Sequence, residues 1–211
     1  MLLKRMSEMF SGIVNGLGII EYVEDKNKLR HIRVRLPEGA NQSISQGASI
    51  SLDGVCLTVV EFSEHTASFD IIDETLNRTT LSKIEVGDMI NIERALKFGD
   101  EIGGHHVSGH IDNMAEIINI ETPENNHIVR VKLPVKYMPY IIEKGYIALD
   151  GCSLTIADVF NDGFNICLIP ETLRQTTFGF KKEGDFVNFE IEAATKAIVD
   201  SFDRKRGGNN E

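Results

Sequence analysis

The reactive side chains of this 211-residue chain gather in three short stretches. One is Gly103-Gly104-His105-His106-Val107-Ser108-Gly109-His110-Ile111-Asp112, with three of the six histidines. The others are Asp53-Gly54-Val55-Cys56-Leu57-Thr58 and Asp150-Gly151-Cys152-Ser153-Leu154-Thr155. Cys56 and Ser153 hold the same place in these two motifs, so a thiol and a hydroxyl stand in matching settings, each able to act as a nucleophile or steer one. Taken alone, Cys56 reads more readily as a small buried residue on a tight strand. Histidine titrates near neutrality, which makes His105 or His110 a candidate base. Five positions apart on a strand, the two would face opposite ways. His106 reads as a surface histidine. The three histidines lack a carboxylate or cysteine at ligand spacing, so no metal centre is expected.

What positions these motifs is a duplication. Ser108-Gly109-His110-Ile111 follows Ser11-Gly12-Ile13-Val14 at an offset of 97 residues. At that offset Leu36-Pro37 meets Leu133-Pro134, Glu74-Thr75-Leu76 meets Glu171-Thr172-Leu173, and Asn91 with Glu93 meets Asn188 with Glu190. Two copies at so long a period are two whole domains rather than a solenoid of short units. The copies differ at reactive positions: Cys56 faces Ser153, Ile13 faces His110, and Ala95 faces Glu192. Such differences point to two related sites with separate tasks. The expected organisation is an N-terminal domain over residues 9–97, a C-terminal domain over 98–192 and a terminal helix over 193–203. Residues 1–8 read as a loose leader upstream of Met9, a candidate physiological start.

Composition sets the class. With 42% hydrophobic and 26% charged residues the chain reads as a soluble protein of two domains, each able to bury a core. The net charge of -10 and the absence of tryptophan argue against a nucleic-acid partner, which favours basic surface and aromatic platforms. No apolar run approaches the roughly 20 residues that span a bilayer, so no membrane association is expected. Three cysteines without metal-type spacing suit a reducing, cytoplasmic setting in which no disulfide is expected.

Turn signals divide each copy into about six short strands. In the first they are expected over Phe10–Tyr22, His31–Leu36, Ala48–Leu52, Val55–Phe62, Ala67–Ile72 and Met89–Glu93. Ile32, Val34 and Leu36 alternate with His31, Arg33 and Arg35, the period of a half-buried strand. Asp53-Gly54 is a hairpin signal. Asp73 to Thr80 reads as a polar segment with a turn of helix, and Pro139 limits Pro134–Ile142 to a short or distorted one. The pattern fits an all-β fold of two tandem small antiparallel barrels, which remove exposed edges by closing, followed by a C-terminal α-helix. Ala194, Ala197, Ile198 and Phe202 form an apolar stripe on that helix, which a partner subunit could cover.

With the repeats aligned, the chain resembles the riboflavin synthase family (the alpha-subunit type) from Met9 to about Phe202. The motifs that carry the resemblance are Met9-Phe10-Ser11-Gly12-Ile13-Val14, the two Asp-Gly motifs, the histidine-rich stretch and Leu168-Ile169-Pro170-Glu171-Thr172-Leu173. The resemblance implies a transferase that moves a four-carbon unit between two molecules of 6,7-dimethyl-8-ribityllumazine, giving riboflavin and 5-amino-6-ribitylamino-uracil. It implies two tandem six-stranded Greek-key barrels with a C-terminal helix, and no cofactor and no metal. It implies a homotrimer assembled by the C-terminal helix, with each active site between the N-terminal barrel of one subunit and the C-terminal barrel of its neighbour. Association with a separate lumazine synthase is a partnership that the resemblance leaves open.

The resemblance also assigns residues. Ser153, His110, Cys56, Glu192, His105 and Thr155 are the expected catalytic set. Gly12, Ile13, Val14, Cys56, Leu57, Thr58, Gly109, His110, Ile111, Ser153, Leu154 and Thr155 are expected at the substrate. So are two ligand-lining loops, Asp70, Ile71, Ile72, Asp73, Glu74 and Thr75 in one copy and Leu168, Ile169, Pro170, Glu171, Thr172 and Leu173 in the other, and Lys144. Thr58 and Thr155 either bond the heterocycle or simply reflect the strand preference of threonine. Glu192 departs from the family pattern, where an aspartate is usual, and its extra methylene shifts the carboxylate by about 1.5 Å. Three other readings compete. A lumazine or flavin carrier on the same double barrel would have eroded the histidines and the Cys56/Ser153 pair. A flavin reductase would need a further nucleotide-binding domain. An oligonucleotide-binding module would want basic charge.

Overall fold

The computed structural model describes residues 9–124 and 126–207. The expected leader, residues 1–8, lies outside the described residues. The first barrel is built from β1 (Gly16–Lys26), β2 (Leu29–Arg35), β3 (Ser49–Leu52), β4 (Val55–Phe62), β5 (Thr66–Ile72) and β6 (Met89–Arg94), with α1 (Asp73–Arg78) and a 3-10 turn (Thr80–Lys83) before β6. The second repeats it with β7 (Asn113–Glu121), β8 (His127–Lys132), β9 (Tyr146–Leu149), β10 (Cys152–Val159), β11 (Gly163–Leu168), α2 (Pro170–Gln175) and β12 (Phe186–Ile191). A 3-10 segment, Val135–Tyr140, contains Pro139, and α3 (Ala193–Gly207) ends the fold. Each barrel closes in the Greek-key order β1-β2-β5-β4-β3-β6, or its counterpart in the second copy, with antiparallel neighbours. The fold class read from the sequence is borne out.

Alternation explains the packing. In β2, Ile32 and Val34 are fully buried while Arg33 and Arg35 face outward. One core gathers Ile20, Ile50, Leu52, Phe69 and Ile92, the other Ile117, Val131, Phe164, Ile166 and Phe189. A third, smaller cluster of Phe10, Val107 and Ala148 fills the seam between the barrels, with Cys56 against it. The Asp-Gly turns are tight hairpins, with Asp53 and Asp150 at φ of 43° and 44°. One expectation needs correcting: β1 does not start at Phe10. Positive φ at Gly12 (75°) breaks the extended run, and β1 begins only at Gly16; the segment ahead of it reaches the second barrel at Gly12 while Asn15 stays bonded to Ile92 of β6. Among the described residues no helix is long and apolar enough to cross a membrane.

Candidate active site

The departing segments cross over. Phe10 and Val107 exchange backbone hydrogen bonds of 2.8 and 3.0 Å, a link between the two copies' leading segments. Beyond it, Gly12 lies against the second barrel and Gly109 against the first. The Ser153 N–H donates to the Gly12 carbonyl (2.8 Å), and the Cys56 N–H donates to the Gly109 carbonyl (2.9 Å). Each reactive strand residue is therefore covered by the Ser-Gly segment of the other copy. Glycine is required at both contacts. A Cβ on Gly12 would sit 2.6 Å from the Ser153 Cβ, one on Gly109 would sit 2.5 Å from the Cys56 Cβ, and both backbones have positive φ.

Two buried carboxylates hold these segments. Glu93 Oε1 accepts the Ser11 N–H (2.7 Å) and hydroxyl (2.8 Å), while Oε2 accepts the Gly12 N–H (3.1 Å). Glu190 does the same for Ser108 (2.8 and 2.7 Å) and Gly109 (2.8 Å). Burial pushes both glutamate pKa values up, against the pull of these hydrogen bonds. Neither glutamate is among the site residues expected from the sequence. The only signal for them there is their repetition beside Asn91 and Asn188.

The second barrel holds the closest reactive pair. His105 Nδ1 and Ser153 Oγ are 2.7 Å apart, and the His105 N–H donates to the Ser11 carbonyl at 3.0 Å. The buried imidazole stacks on Tyr146, with ring centroids 5.5 Å apart and planes at 15°. Tyr146 opens β9, where it pairs with Thr155, which is exposed. Burial holds the His105 pKa below its ordinary value; the Glu192 charge opposes this and His106 adds to it. A neutral imidazole can take the Ser153 proton at Nδ1, which makes the hydroxyl a better nucleophile. The Glu192 carboxylate accepts the Thr195 hydroxyl at 2.7 Å and its carbonyl accepts the Lys196 N–H, so it also starts α3. Exposed Lys144 lies in the turn before β9, at φ 64°.

On the first barrel, Cys56, Glu74, Thr75, Gly109, His110 and Ile111 surround a cavity of about 280 Å³, together with Val55, Arg78 and Thr79. Six residues expected from the sequence thus meet in one place. His110 is exposed there. The expectation that His105 and His110 sit on opposite faces of one strand is overturned. Residues 103–112 form no strand beyond the Val107 bridge, and the crossing sends His105 to Ser153 and His110 to the Cys56 cavity.

The remaining expected residues divide by surroundings. Leu57, Ile71, Leu154 and Leu168 point into the barrel cores, which leaves only their backbones for a ligand. Ile13, Ile72 and Ile169 are exposed, as is Thr58, and Val14 packs partly against the second core. Asp70 is on β5 and pairs with His31 at 2.7 Å. The segments expected as loops are strand ends leading into short helices: Asp73, Glu74 and Thr75 lie in α1, and Pro170, Glu171, Thr172 and Leu173 in α2. There Glu74 pairs with Arg78 (3.0 Å) and Glu171 with Arg174 (2.6 Å).

Behind the two sites lies a reciprocal polar network. Asn91 Nδ2 donates to the Asp150 carbonyl and Oδ1 accepts from the Thr177 N–H; Asn188 mirrors this with Asp53 and Thr80. The Asp53 carboxylate accepts the Asn91 N–H and Asp150 accepts that of Asn188, both at the turns leading into the reactive strands. Lys181 Nζ stands 2.9 Å from Asp150, whose side chain has 0% exposure. The counterpart of Lys181 in the first copy is Ile84, and the Lys181 charge also acts on buried Asp53, pulling its pKa down against burial.

Comparison with known proteins agrees with this architecture. A family model for the lumazine binding domain matches residues 11–95 and again 108–192. The riboflavin synthase of Escherichia coli (strain K12) is 45% identical over 197 residues, covering 93% of this chain and 92% of that protein. That of Chlamydia pneumoniae is 42% identical over 196 residues, covering 93% and 96%. The crystal structure of LumP complexed with riboflavin superposes with a TM-score of 0.80 at 30% identity, over 87% of this chain and 99% of that one. The domain matched twice and these relatives together show that the chain belongs to the lumazine-binding riboflavin synthase family.

Proposed function

We propose that this protein is a riboflavin synthase. It takes two molecules of 6,7-dimethyl-8-ribityllumazine and moves a four-carbon unit from one to the other, releasing riboflavin and 5-amino-6-ribitylamino-uracil. The observation that carries the reading is the His105–Ser153 contact of 2.7 Å, a base and a nucleophile in contact on one of two related barrels. A dismutation needs two places for the same molecule, and a duplicated domain supplies them. Holding two reactants in register removes an entropic part of the barrier of order 7–11 kcal/mol in well-oriented cases. The active unit is a homotrimer in which barrels of neighbouring chains share each site. Ile198 and Phe202 on α3, 58% and 63% exposed, support an assembly through that helix.

The test is riboflavin formation by the purified chain beside its Ser153→Ala variant, followed by absorbance with lumazine alone. Riboflavin from the parent chain and a large loss in the variant are expected. A variant as fast as the parent would overturn the role given to Ser153. A carrier reading has one observation in its favour, the likeness to LumP, solved with 6,7-dimethyl-8-(1'-D-ribityl) lumazine as well as with riboflavin. The presence of His105, His110, Cys56 and Ser153 together favours the enzyme.

A further inference from the structure

The two buried glutamates act across the duplication. Glu93 lies on β6 of the first barrel, yet of the residues it grips Gly12 holds Ser153 of the second and Ser11 holds His105. Glu190 lies on β12 of the second barrel, and the Ser108-Gly109 it grips touches Cys56 of the first. We infer that Glu93 is the positioning residue for the Ser153–His105 site and Glu190 the positioning residue for the Cys56–His110 site, each glutamate governing the site on the opposite barrel. The inference deepens the proposed function but rests on geometry that needs no substrate.

The chemistry of the grip is specific. Each carboxylate receives two backbone N–H donors and one hydroxyl, and both of its oxygens are used. A carboxylate only accepts, so it suits three converging donors; a glutamine of the same shape would turn an NH2 toward one of them. A donor left facing a donor in a buried place loosens the segment. For Glu93 the freed segment includes the Gly12 carbonyl that holds the Ser153 N–H and the Ser11 carbonyl that holds the His105 N–H. Both members of the reactive pair therefore lose an anchor. For Glu190 the freed carbonyl is that of Gly109, which holds Cys56, and the displaced neighbour is His110. The repeat makes the two glutamates controls for one another.

The experiment is hydrogen exchange of the full-length Glu93→Gln and Glu190→Gln variants without ligand, read by mass spectrometry on peptides spanning 150–156 and 53–59. Glu93→Gln is expected to speed exchange over 150–156 roughly tenfold or more and leave 53–59 near the parent rate; Glu190→Gln should do the reverse. Loosening of the glutamate's own barrel, equal loosening of both, or none would overturn the inference. If either variant fails to fold, Ser11→Ala and Ser108→Ala, which remove only the hydroxyl from each grip, are read in the same way. Because this readout involves no turnover, its failure is separable from failure of the proposed activity. The functional companion is the pH profile and the KM-against-kcat split of Glu93→Gln. Loss confined to kcat with a displaced His105-dependent limb is expected, and an unchanged profile argues for mere scaffolding.

Discussion

Lys181→Met removes the ammonium 2.9 Å from Asp150 and leaves the buried Asp53 and Asp150 carboxylates without that counterion. Breaking a buried pair by deleting one partner costs about 3–5 kcal/mol. At roughly 2–4 °C per kcal/mol for a chain of this size, the thermal midpoint should drop by roughly 6–20 °C. The pH dependence identifies the cause. Burial raises the pKa of both aspartates, and Asp150 raises that of Asp53 further. A carboxyl whose folded pKa is raised binds more protons folded than unfolded, so its contribution falls as pH rises from the ordinary 3.8 through the folded value. Asp150 and Asp53 outweigh burial in raising the pKa of Lys181, whose charge offsets that fall at neutral pH. The variant's deficit in thermal or urea midpoints should therefore be largest at pH 7–8 and shrink toward pH 4. Adding Asp150→Asn to Lys181→Met should recover most of it. A deficit below about 1 kcal/mol, or one of equal size at both pH values, would refute the reasoning.

Three further outcomes are expected. Gly12→Ala puts a Cβ 2.6 Å from that of Ser153 at a φ of +75°, a backbone costing about 1–2 kcal/mol for an L-residue. Riboflavin formation should fall on the order of 10²-fold, as for a displaced reactive group, while circular dichroism stays that of the parent fold. Turnover that uses neutral His105 should persist as pH falls through the ordinary value of 6.5 and drop only below its depressed pKa, and His105→Gln should abolish that limb. Since the folded pKa of His105 is depressed, its contribution to stability is present above 6.5 and lost as pH falls. Glu192→Gln removes a charge that favours protonated His105, so the acid limb should move to lower pH; an unmoved limb would detach Glu192 from the site.

How far the sequence was legible depended on how local each signal was. Strand alternation and Asp-Gly turns lie within a few residues, so the pattern alone predicts β4 over Val55–Phe62, the observed span. The equivalence of Cys56 and Ser153 came from comparing the two copies. The crossing was not legible, because Gly12 finds Ser153 only through tertiary pairing, and it decides which histidine serves which site. The alternation after Phe10 suggests strand, and the positive φ at Gly12 prevents it before Gly16. Glu93 and Glu190 were visible as a repeated pair but not as clasps, since their partners lie far off in sequence. Lys181 was hidden by the very comparison that revealed the rest: the other copy has Ile84 there.

The most direct measurement is a mass balance: incubate the purified chain with 6,7-dimethyl-8-ribityllumazine alone, then quantify lumazine consumed and riboflavin and 5-amino-6-ribitylamino-uracil formed. The account predicts one molecule of each product for every two lumazines consumed, with nothing else added. Tight binding with an unchanged lumazine spectrum over hours, or riboflavin only when a second reactant is supplied, would contradict it.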